Sequence, residues 1–234
     1  MGGWFPLAPT CWTSARRRST RRRSGNGQVE VEVEVEVEAK RMSRPAVFLD
    51  RDGVINCNRR DHVKSWAEFA FLPGAMDALQ KLARLGWPVV VVSNQAIINR
   101  GLVSRQTVDE INARMVAAVQ DAGGRIDSVL YCPHRPDENC NCRKPRPGLL
   151  LQAAEQWALD LSHSYLVGDA ENDVLAALSA GCRPILVQTG RGVEQLALLR
   201  QRGVDSFHVA DNLADAVDWI MVSELSIRGG ILRV

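Results

Sequence analysis

Two aspartates separated by one residue follow a short apolar run in the segment Ala46-Val47-Phe48-Leu49-Asp50-Arg51-Asp52-Gly53. Such a run is typical of a buried parallel strand whose carboxyl end opens into a ligand-binding crevice. Because two neighbouring carboxylates repel each other, we expect a divalent cation, or separate base and acid roles for Asp50 and Asp52. The alternative is a solvated Asp-x-Asp-Gly turn at a strand end.

Further polar residues follow two other apolar runs and one loop. They are Ser93, Asn94 and Gln95 after the run 89–92, Asp169 and Asp173 after the run 166–167, and the cations Arg143 and Lys144 in the segment between. The carboxyl ends of parallel strands meet at one edge of a sheet. We therefore expect these side chains to share a site with the two aspartates.

A cluster of potential metal ligands precedes the two cations and consists of Cys132, His134, Cys140 and Cys142. Three cysteines and one histidine match a closed tetrahedral zinc site, which would be structural because no coordination position stays open. A disulfide framework or unrelated core thiols are the alternatives, and the lack of a secretory signal disfavours the framework. We expect zinc to hold Arg143 and Lys144 over the active site.

The remaining sequence alternates between strand and helix patterns. Helices are predicted after Pro73-Gly74, from the N-cap Ser104 to about Ala122, after Pro147-Gly148, up to Gly181, and from Leu213 to Ile220; further strands are predicted at 126–131, 185–187 and 207–209. This order indicates an α/β fold with a doubly wound parallel sheet. Only 40 residues lie between Asp52 and Ser93. An irregular flap at 56–71 and one helix use most of them, so we expect no large cap domain.

The first 41 residues differ in composition from the rest of the 234-residue chain. They hold eight Lys/Arg and five Glu, which gives them a net charge of +3, whereas the whole chain has a net charge of +2. Val and Glu alternate at 29–38. A nucleic-acid-binding arm and a transit peptide are possible interpretations, but we favour a dispensable extension with Met42 as the natural start. The predicted divisions are an extension at 1–44, a catalytic domain at 45–222 and a tail at 223–234.

Charge and hydropathy limit the possible partners. The remainder of the chain has a net charge of −1, so nucleic acid is not an expected ligand of the domain. No apolar run approaches the length of a membrane span, and the arginines follow rather than precede the N-terminal apolar residues, unlike a secretory signal. We expect a cytoplasmic monomer that acts on a small molecule.

Taken in order, the acid pair, hydroxyl, lysine and distal acid resemble the four motifs of the haloacid dehalogenase-like phosphatases. The resemblance covers residues 45–190. Together with the residue types, it implies that Asp50 is the nucleophile, that Asp52 is the general acid and base, and that Ser93 and Lys144 contact the phosphoryl group. Mg²⁺ is expected on Asp50, the backbone carbonyl of Asp52, Asp169 and the phosphate. Asp173 is expected to support the metal shell or Lys144, and Asn94, Gln95 and Arg143 to bind substrate.

Within that superfamily, Asp-Arg-Asp-Gly-Val-Ile-Asn, Ser-Asn-Gln, the Arg100-Gly101 pair, Cys-Pro-His and Cys-Arg-Lys-Pro-Arg-Pro-Gly resemble the D-glycero-D-manno-heptose 1,7-bisphosphate 7-phosphatases. This implies release of the 7-phosphate, giving heptose 1-phosphate for nucleotide-activated heptose and lipopolysaccharide precursors. Histidinol-phosphate phosphatase is the nearest competitor. A third possibility is a non-catalytic zinc-stabilised binding module with a basic N-terminal arm.

Three departures from the heptose pattern lie where sugar specificity is set: Ala96-Ile97 in place of Ser-Gly, Ala170 in place of a basic residue, and Asp61-His62 in place of Gly-Tyr. The substrate is therefore less firmly indicated than the reaction type.

Overall fold

The computed structural model describes residues 43–230 of the chain, with side chains to residue 225. Residues 1–42 of the predicted extension, with the Val-Glu alternation, lie outside these residues, whereas Arg44 forms a parallel bridge with Leu159. Within residues 43–230, six parallel strands form one sheet in the order β3-β2-β1-β4-β5-β6. They are β1 (Val47–Leu49), β2 (Val89–Asn94), β3 (Ser128–Cys132), β4 (Tyr165–Gly168), β5 (Arg183–Val187) and β6 (His208–Ala210). The predicted doubly wound parallel sheet is confirmed.

Helices follow the strands on both faces of this sheet: α1 (Ala75–Leu85), α2 (Arg105–Asp121), α3 (Gly148–Trp157), α4 (Glu171–Ala180), α5 (Gly192–Gln201) and α6 (Leu213–Gly230). The cap expected at Ser104 is present, since its hydroxyl oxygen accepts a hydrogen bond from the backbone N–H of Thr107 at 3.0 Å. Helix α1 lies between Gly74 and Gly86, both with a φ of +76°. Among the residues described, no helix is long and apolar enough to cross a membrane.

The alternation of side chains along β1 divides the core into two layers. Val47 and Leu49 pack with α1, α2 and α6, whereas Phe48 packs with α3 and α4 on the opposite face. All three residues are fully buried. By the same period of two, the residues that follow β1 point alternately to opposite sides of the sheet.

The helices differ from the sequence prediction at two places. No helix is predicted at Gly192–Gln201, where α5 lies, because its apolar residues are divided between the exposed Val193 and Leu198 and the fully buried Leu199 and so do not mark one buried face. Helix α6 continues beyond the predicted end at Ile220 to Gly230 and so crosses the proposed domain boundary at 222. Its extension is held by Glu224, whose carboxylate accepts a hydrogen bond of 2.8 Å from the hydroxyl of Tyr165.

The strand order places β1 between β2 and β4, at the point where the sheet order reverses. Phe48 is in register with Val90 on one side and with Leu166 on the other. The residues after these three strands therefore meet at one crevice, which is where open α/β sheets bind ligands.

Candidate active site

A cavity of about 520 Å³ lies at the carboxyl end of β1. Its floor contains Asp50, Asp52, Ser93, Lys144 and Asp173, and its rim contains Arg59, Arg60, His62, Arg100, Arg143 and Arg191. The structure thus brings together the acid pair, the hydroxyl and the lysine that the sequence separates by up to 94 residues. A basic rim around an acidic floor suits an anion whose reacting end approaches a metal ion.

Lys144 is clamped between two carboxylates in the floor. Its Nζ lies 2.7 Å from Oδ1 of Asp50 and 2.5 Å from Oδ1 of Asp173, and it donates a hydrogen bond of 2.7 Å to the carbonyl oxygen of Val92. Lys144 is only 3% exposed. Although burial favours the neutral amine, the two carboxylates raise the pKa of Lys144, so it stays charged.

The backbone on both sides of that lysine is fixed by other predicted site residues. The side-chain amide of Asn94 donates to the carbonyl of Lys144 and accepts from its N–H, both at 3.1 Å. Arg143 donates a hydrogen bond of 3.1 Å to the backbone carbonyl of His134. Asn94, expected to bind substrate, is therefore occupied in holding the loop that carries Lys144.

The carboxylate of Asp52 is held by three donors. Arg51 Nη2 lies 2.9 Å from Oδ2 and 3.2 Å from Oδ1, Asn56 donates to Oδ1 at 2.9 Å, and Gln95 donates to Oδ2 at 2.9 Å. Burial by itself would raise the pKa of Asp52, but Arg51 and the two amides outweigh it and lower that pKa. Asp52 is therefore ionised at neutral pH.

Gln95 links Asp52 to the predicted hydroxyl ligand. The same Nε2 that contacts Asp52 donates a second hydrogen bond, of 2.9 Å, to Oγ of Ser93. Because Ser93 accepts this bond, its own O–H is left to donate into the cavity. Gln95 is 2% exposed and, like Asn94, is placed to position other residues.

Asp50, Asp169 and Asp173 form a cluster whose carboxylate oxygens all lie within 4.8 Å of one another. Asp169 is fully buried, and within the described part of the chain its Oδ1 accepts no hydrogen bond. A buried carboxylate oxygen without a donor is unfavourable unless a cation binds it. The oxygen-only donor set is the type that Mg²⁺ prefers, so these residues fit the predicted magnesium site.

The surroundings of Asp169 leave no room for larger residues. A Cβ added to Gly53 would lie 2.2 Å from Oδ2 of Asp169, and one added to Gly190 would lie 2.3 Å from it. Both glycines also have positive φ, +91° and +59°. Glycine at these two positions therefore leaves the space that the carboxylate of Asp169 occupies.

Charge crowding shifts the pKa values of the cluster. Burial, followed by the neighbouring acids, raises the pKa of Asp50 to about 7 despite the opposing effect of Lys144. Burial and Asp173 raise the pKa of Asp169 to about 6. Arg191 partly offsets the rise in the pKa of Asp169, because its backbone N–H donates to Oδ2 of Asp169 at 2.9 Å and its Nη2 lies 3.5 Å from Oδ1. A divalent cation would stabilise both ionised carboxylates.

The four predicted zinc ligands converge next to this cavity. The Sγ of Cys132 lies 3.4 Å from both Nδ1 of His134 and Sγ of Cys140, while Sγ of Cys142 lies 3.3 Å from Nδ1 and 3.5 Å from Sγ of Cys140. Such separations surround a single point and are too long for disulfides. Three thiols and one imidazole fit a structural Zn²⁺.

Comparison with known proteins assigns the family. A family model of HAD-hydrolase-like proteins matches residues 141–216. The D-glycero-beta-D-manno-heptose-1,7-bisphosphate 7-phosphatase of Pseudomonas aeruginosa is 42% identical over 155 residues, which are 66% of this chain and 87% of the relative. The enzyme of that name from Bordetella bronchiseptica is 39% identical, over 75% of this chain and 97% of its own. The chain belongs to the heptose bisphosphate phosphatase family.

A solved structure supports the same assignment. The crystal structure of D,D-heptose 1,7-bisphosphate phosphatase from B. bronchiseptica, complexed with magnesium and phosphate, matches with a TM-score of 0.72 and 38% identity, over 76% of this chain and 99% of that one. The predicted resemblance to heptose bisphosphate phosphatases and to the haloacid dehalogenase-like fold is thereby confirmed. That relative binds magnesium, in agreement with the oxygen cluster formed here by Asp50, Asp169 and Asp173.

Sequence reasoning did not identify three polar residues of the site: Arg51, Asn112 and Arg191. Arg51 could have been identified from the period of two after β1, which directs it to the core side opposite Asp50. Asn112 lies among apolar positions on the buried face of α2, a second available signal. Arg191 follows β5 in a loop, and no local pattern marks its contact with Asp169.

Proposed function

We propose that the protein is a magnesium-dependent phosphatase that removes the 7-phosphate of D-glycero-β-D-manno-heptose 1,7-bisphosphate. The buried Asp50, clamped by Lys144 beside Asp52 and Asp169, carries this proposal. Only a nucleophile, an adjacent proton carrier and a set of cations are needed for phosphoryl transfer through a covalent intermediate. Membership of the family supports the choice of substrate.

In the proposed reaction, a carboxylate oxygen of Asp50 attacks phosphorus, and the bond from phosphorus to the sugar oxygen breaks. Asp52 is ionised in the free site, so it must first bind a proton, which it then gives to the departing oxygen. Water then attacks phosphorus, Asp52 accepts a proton from that water, and the bond to Asp50 breaks to release phosphate. Bound Mg²⁺ would neutralise charge on the phosphoryl oxygens and on Asp50, Asp169 and Asp173.

Ser93 and Lys144 would stabilise the transferring group. The free hydroxyl proton of Ser93 can be donated to a phosphoryl oxygen, and the charge of Lys144 balances the negative charge that accumulates in the floor of the cavity. Arg143 is held by the carbonyl of His134 at the cavity rim. Its planar guanidinium suits a phosphate or a sugar hydroxyl.

The cationic rim supports a substrate with a second phosphate. Arg60 and Arg100 line the cavity, and within residues 43–225 their guanidinium groups have no ion pair or hydrogen bond. Unpaired arginines beside a cavity are available for bidentate contacts with an anion. Histidinol phosphate has one phosphate, and the rest of the molecule is cationic. It would therefore leave the positive charges of Arg60 and Arg100 unmatched.

The test is phosphate release by the Mg²⁺-loaded, zinc-containing chain. We would compare the β and α anomers of heptose 1,7-bisphosphate with histidinol phosphate, and use Asp50→Asn as the control for contaminating phosphatase. We expect the highest kcat/KM with the β anomer and no turnover by Asp50→Asn. Preference for histidinol phosphate would refute the assigned substrate while retaining the reaction. No hydrolysis of any phosphate ester would refute both.

A further inference from the structure

Arg51 is a charged side chain inside the protein core. It is 1% exposed and is the largest fully buried side chain among the described residues. Its Nη1 donates a hydrogen bond of 3.0 Å to Oδ1 of Asn112 on α2, and its Nη2 contacts both carboxylate oxygens of Asp52. Within the described residues, the Nε of Arg51 and the Nδ2 of Asn112 have no hydrogen-bond partner.

Stability does not explain this arrangement. Replacing a buried ion pair by apolar groups of similar volume is often neutral or stabilising, because the desolvation of charge offsets the attraction. The incomplete hydrogen bonding of Arg51 and Asn112 adds to that cost. Arg51 does not line the cavity, so it cannot contact a substrate there. Its effect must be exerted on Asp52.

The contacts of Asp52 indicate what that effect is. Arg51 approaches the carboxylate from the core, while Asn56 and Gln95 each donate to one oxygen. The side chain of Asp52 remains 24% exposed toward the cavity. A carboxylate held in this way presents a fixed acceptor to a water molecule in the cavity.

We propose that Arg51 and Asn112 form a positioning pair that holds the carboxylate of Asp52 in place to accept a proton from the water that hydrolyses the aspartyl-phosphate. In this step the water oxygen bonds to phosphorus, the phosphorus–oxygen bond to Asp50 breaks with its electrons returning to that carboxylate, and the proton from water moves to Asp52. The inference rests on the proposed phosphatase function, but not on the identity of the sugar.

The test variant is Arg51→Met/Asn112→Leu, which removes the buried charge and its acceptor together. Apolar side chains of similar size fill the space, so we expect a melting temperature equal to or above that of the wild type. Arg125→Met is the matched control, because Arg125 also pairs with a carboxylate, that of Asp127 at 2.7 Å, but at the opposite end of the sheet. Its kinetics should equal those of the wild type.

The substrate for the test is 4-nitrophenyl phosphate with the Mg²⁺-loaded protein. The leaving 4-nitrophenolate needs no proton, so formation of the aspartyl-phosphate does not depend on Asp52 acting as an acid. In the double variant we expect kcat to fall by about 10²-fold while kcat/KM is retained. A burst approaching one 4-nitrophenolate per protein should appear, together with acid-stable trapping of phosphate on Asp50.

Two further variants separate positioning from folding. Asn112→Asp, made in the protein that retains Arg51, keeps an oxygen acceptor for Arg51. Its kcat should be near the wild-type value, in contrast to that of the double variant. In an Asp52→Asn background, removing Arg51 should have little further effect, since the group that it positions is already lost. A purely structural role would give neither the rescue nor this non-additivity.

The outcomes distinguish failure of the positioning pair from failure of the proposed function. Equal losses in kcat and kcat/KM without a burst, or an unchanged kcat in the folded double variant, would refute the positioning pair alone. A wild-type protein that hydrolyses 4-nitrophenyl phosphate but not the heptose bisphosphate would refute the substrate and leave this test valid. A wild-type protein that hydrolyses neither ester would refute both proposals.

Discussion

Replacing Lys144 by methionine tests whether the floor of the cavity is built as two acids around one cation. The substitution keeps most of the length of the side chain and removes the ammonium group that lies 2.7 Å from Asp50 and 2.5 Å from Asp173. All three side chains are nearly inaccessible to water. Two buried carboxylates would then face each other without a counter-charge when magnesium is absent.

The expected loss can be estimated from that burial. Removing one partner of a buried ion pair costs about 3–5 kcal/mol, since the remaining charge is left uncompensated. Domains of this size are stable by about 5–15 kcal/mol, so the variant should fold but be clearly weakened. With a urea dependence of about 2 kcal/mol per molar, the unfolding midpoint should fall by about 2 M.

The loss should also depend on pH. The pKa of Asp50 is about 7 even with Lys144 present, and removing the charge of Lys144 raises the pKa of Asp50 further. An acid whose pKa is higher in the folded than in the unfolded state loses stability as pH rises from the unfolded pKa to the folded one. Protonation of Asp50 at acidic pH relieves its repulsion with Asp173. The difference between variant and wild type should therefore be small near pH 5 and largest above pH 7.

The assay is urea unfolding followed by tryptophan fluorescence at about pH 5 and about pH 8, in magnesium-free buffer. A chelator is omitted because it would also remove zinc. Lys64→Met is the matched control: the Nζ of Lys64 lies 2.5 Å from Asp61, but the pair is exposed and should contribute little to stability. If Lys144→Met lost no more stability than Lys64→Met at the higher pH, the clamp would be refuted. A loss that was the same at both pH values would refute the electrostatic explanation.

Three other predictions concern the metals. Gly190→Ala, whose Cβ would crowd Asp169, should weaken Mg²⁺ binding at least about tenfold by calorimetry. Gly203→Ala is the control: Gly203 has a φ of +69°, and a Cβ added there would meet no atom of the described residues within 4 Å, so this variant isolates the backbone strain and should not change Mg²⁺ affinity. Cys140→Ser should lower both the zinc content and the melting temperature, and kcat with them; unchanged kcat in zinc-free protein would contradict the role of the loop. Finally, Mg²⁺ affinity should fall between about pH 8 and about pH 6, because protons on Asp50 and Asp169 compete with the ion, and a pH-independent affinity would contradict the raised pKa values.

Local sequence patterns were sufficient for much of the fold and for the composition of the site. The helix after Ser104 and the strand before Asp50 follow from capping and from apolar runs, which act over a few residues. The zinc ligands are recognisable because four residues within one loop form the whole cluster. These predictions needed no knowledge of how distant segments meet.

Other features arise only from tertiary contacts. Helix α5 was not predicted because its apolar residues do not mark one buried face: Val193 and Leu198 are exposed, whereas Leu199 packs with Leu186 of β5. Helix α6 continues past residue 220 because Glu224 reaches Tyr165, which lies 59 residues earlier in the chain. Both outcomes depend on neighbours that are remote in sequence.

The division between sequence and structure is clearest at the active site. The sequence alone determined which residues stand at the ends of β1, β2 and β4, because strand ends are marked by the change from apolar to polar residues. Tertiary structure decided how their polar atoms are shared: Asn94 holds Lys144, Gln95 joins Ser93 to Asp52, and Arg51 reaches Asn112. Hydrogen bonds require separations of about 3 Å and correct directions, and only strand register and helix packing fix these between segments tens of residues apart.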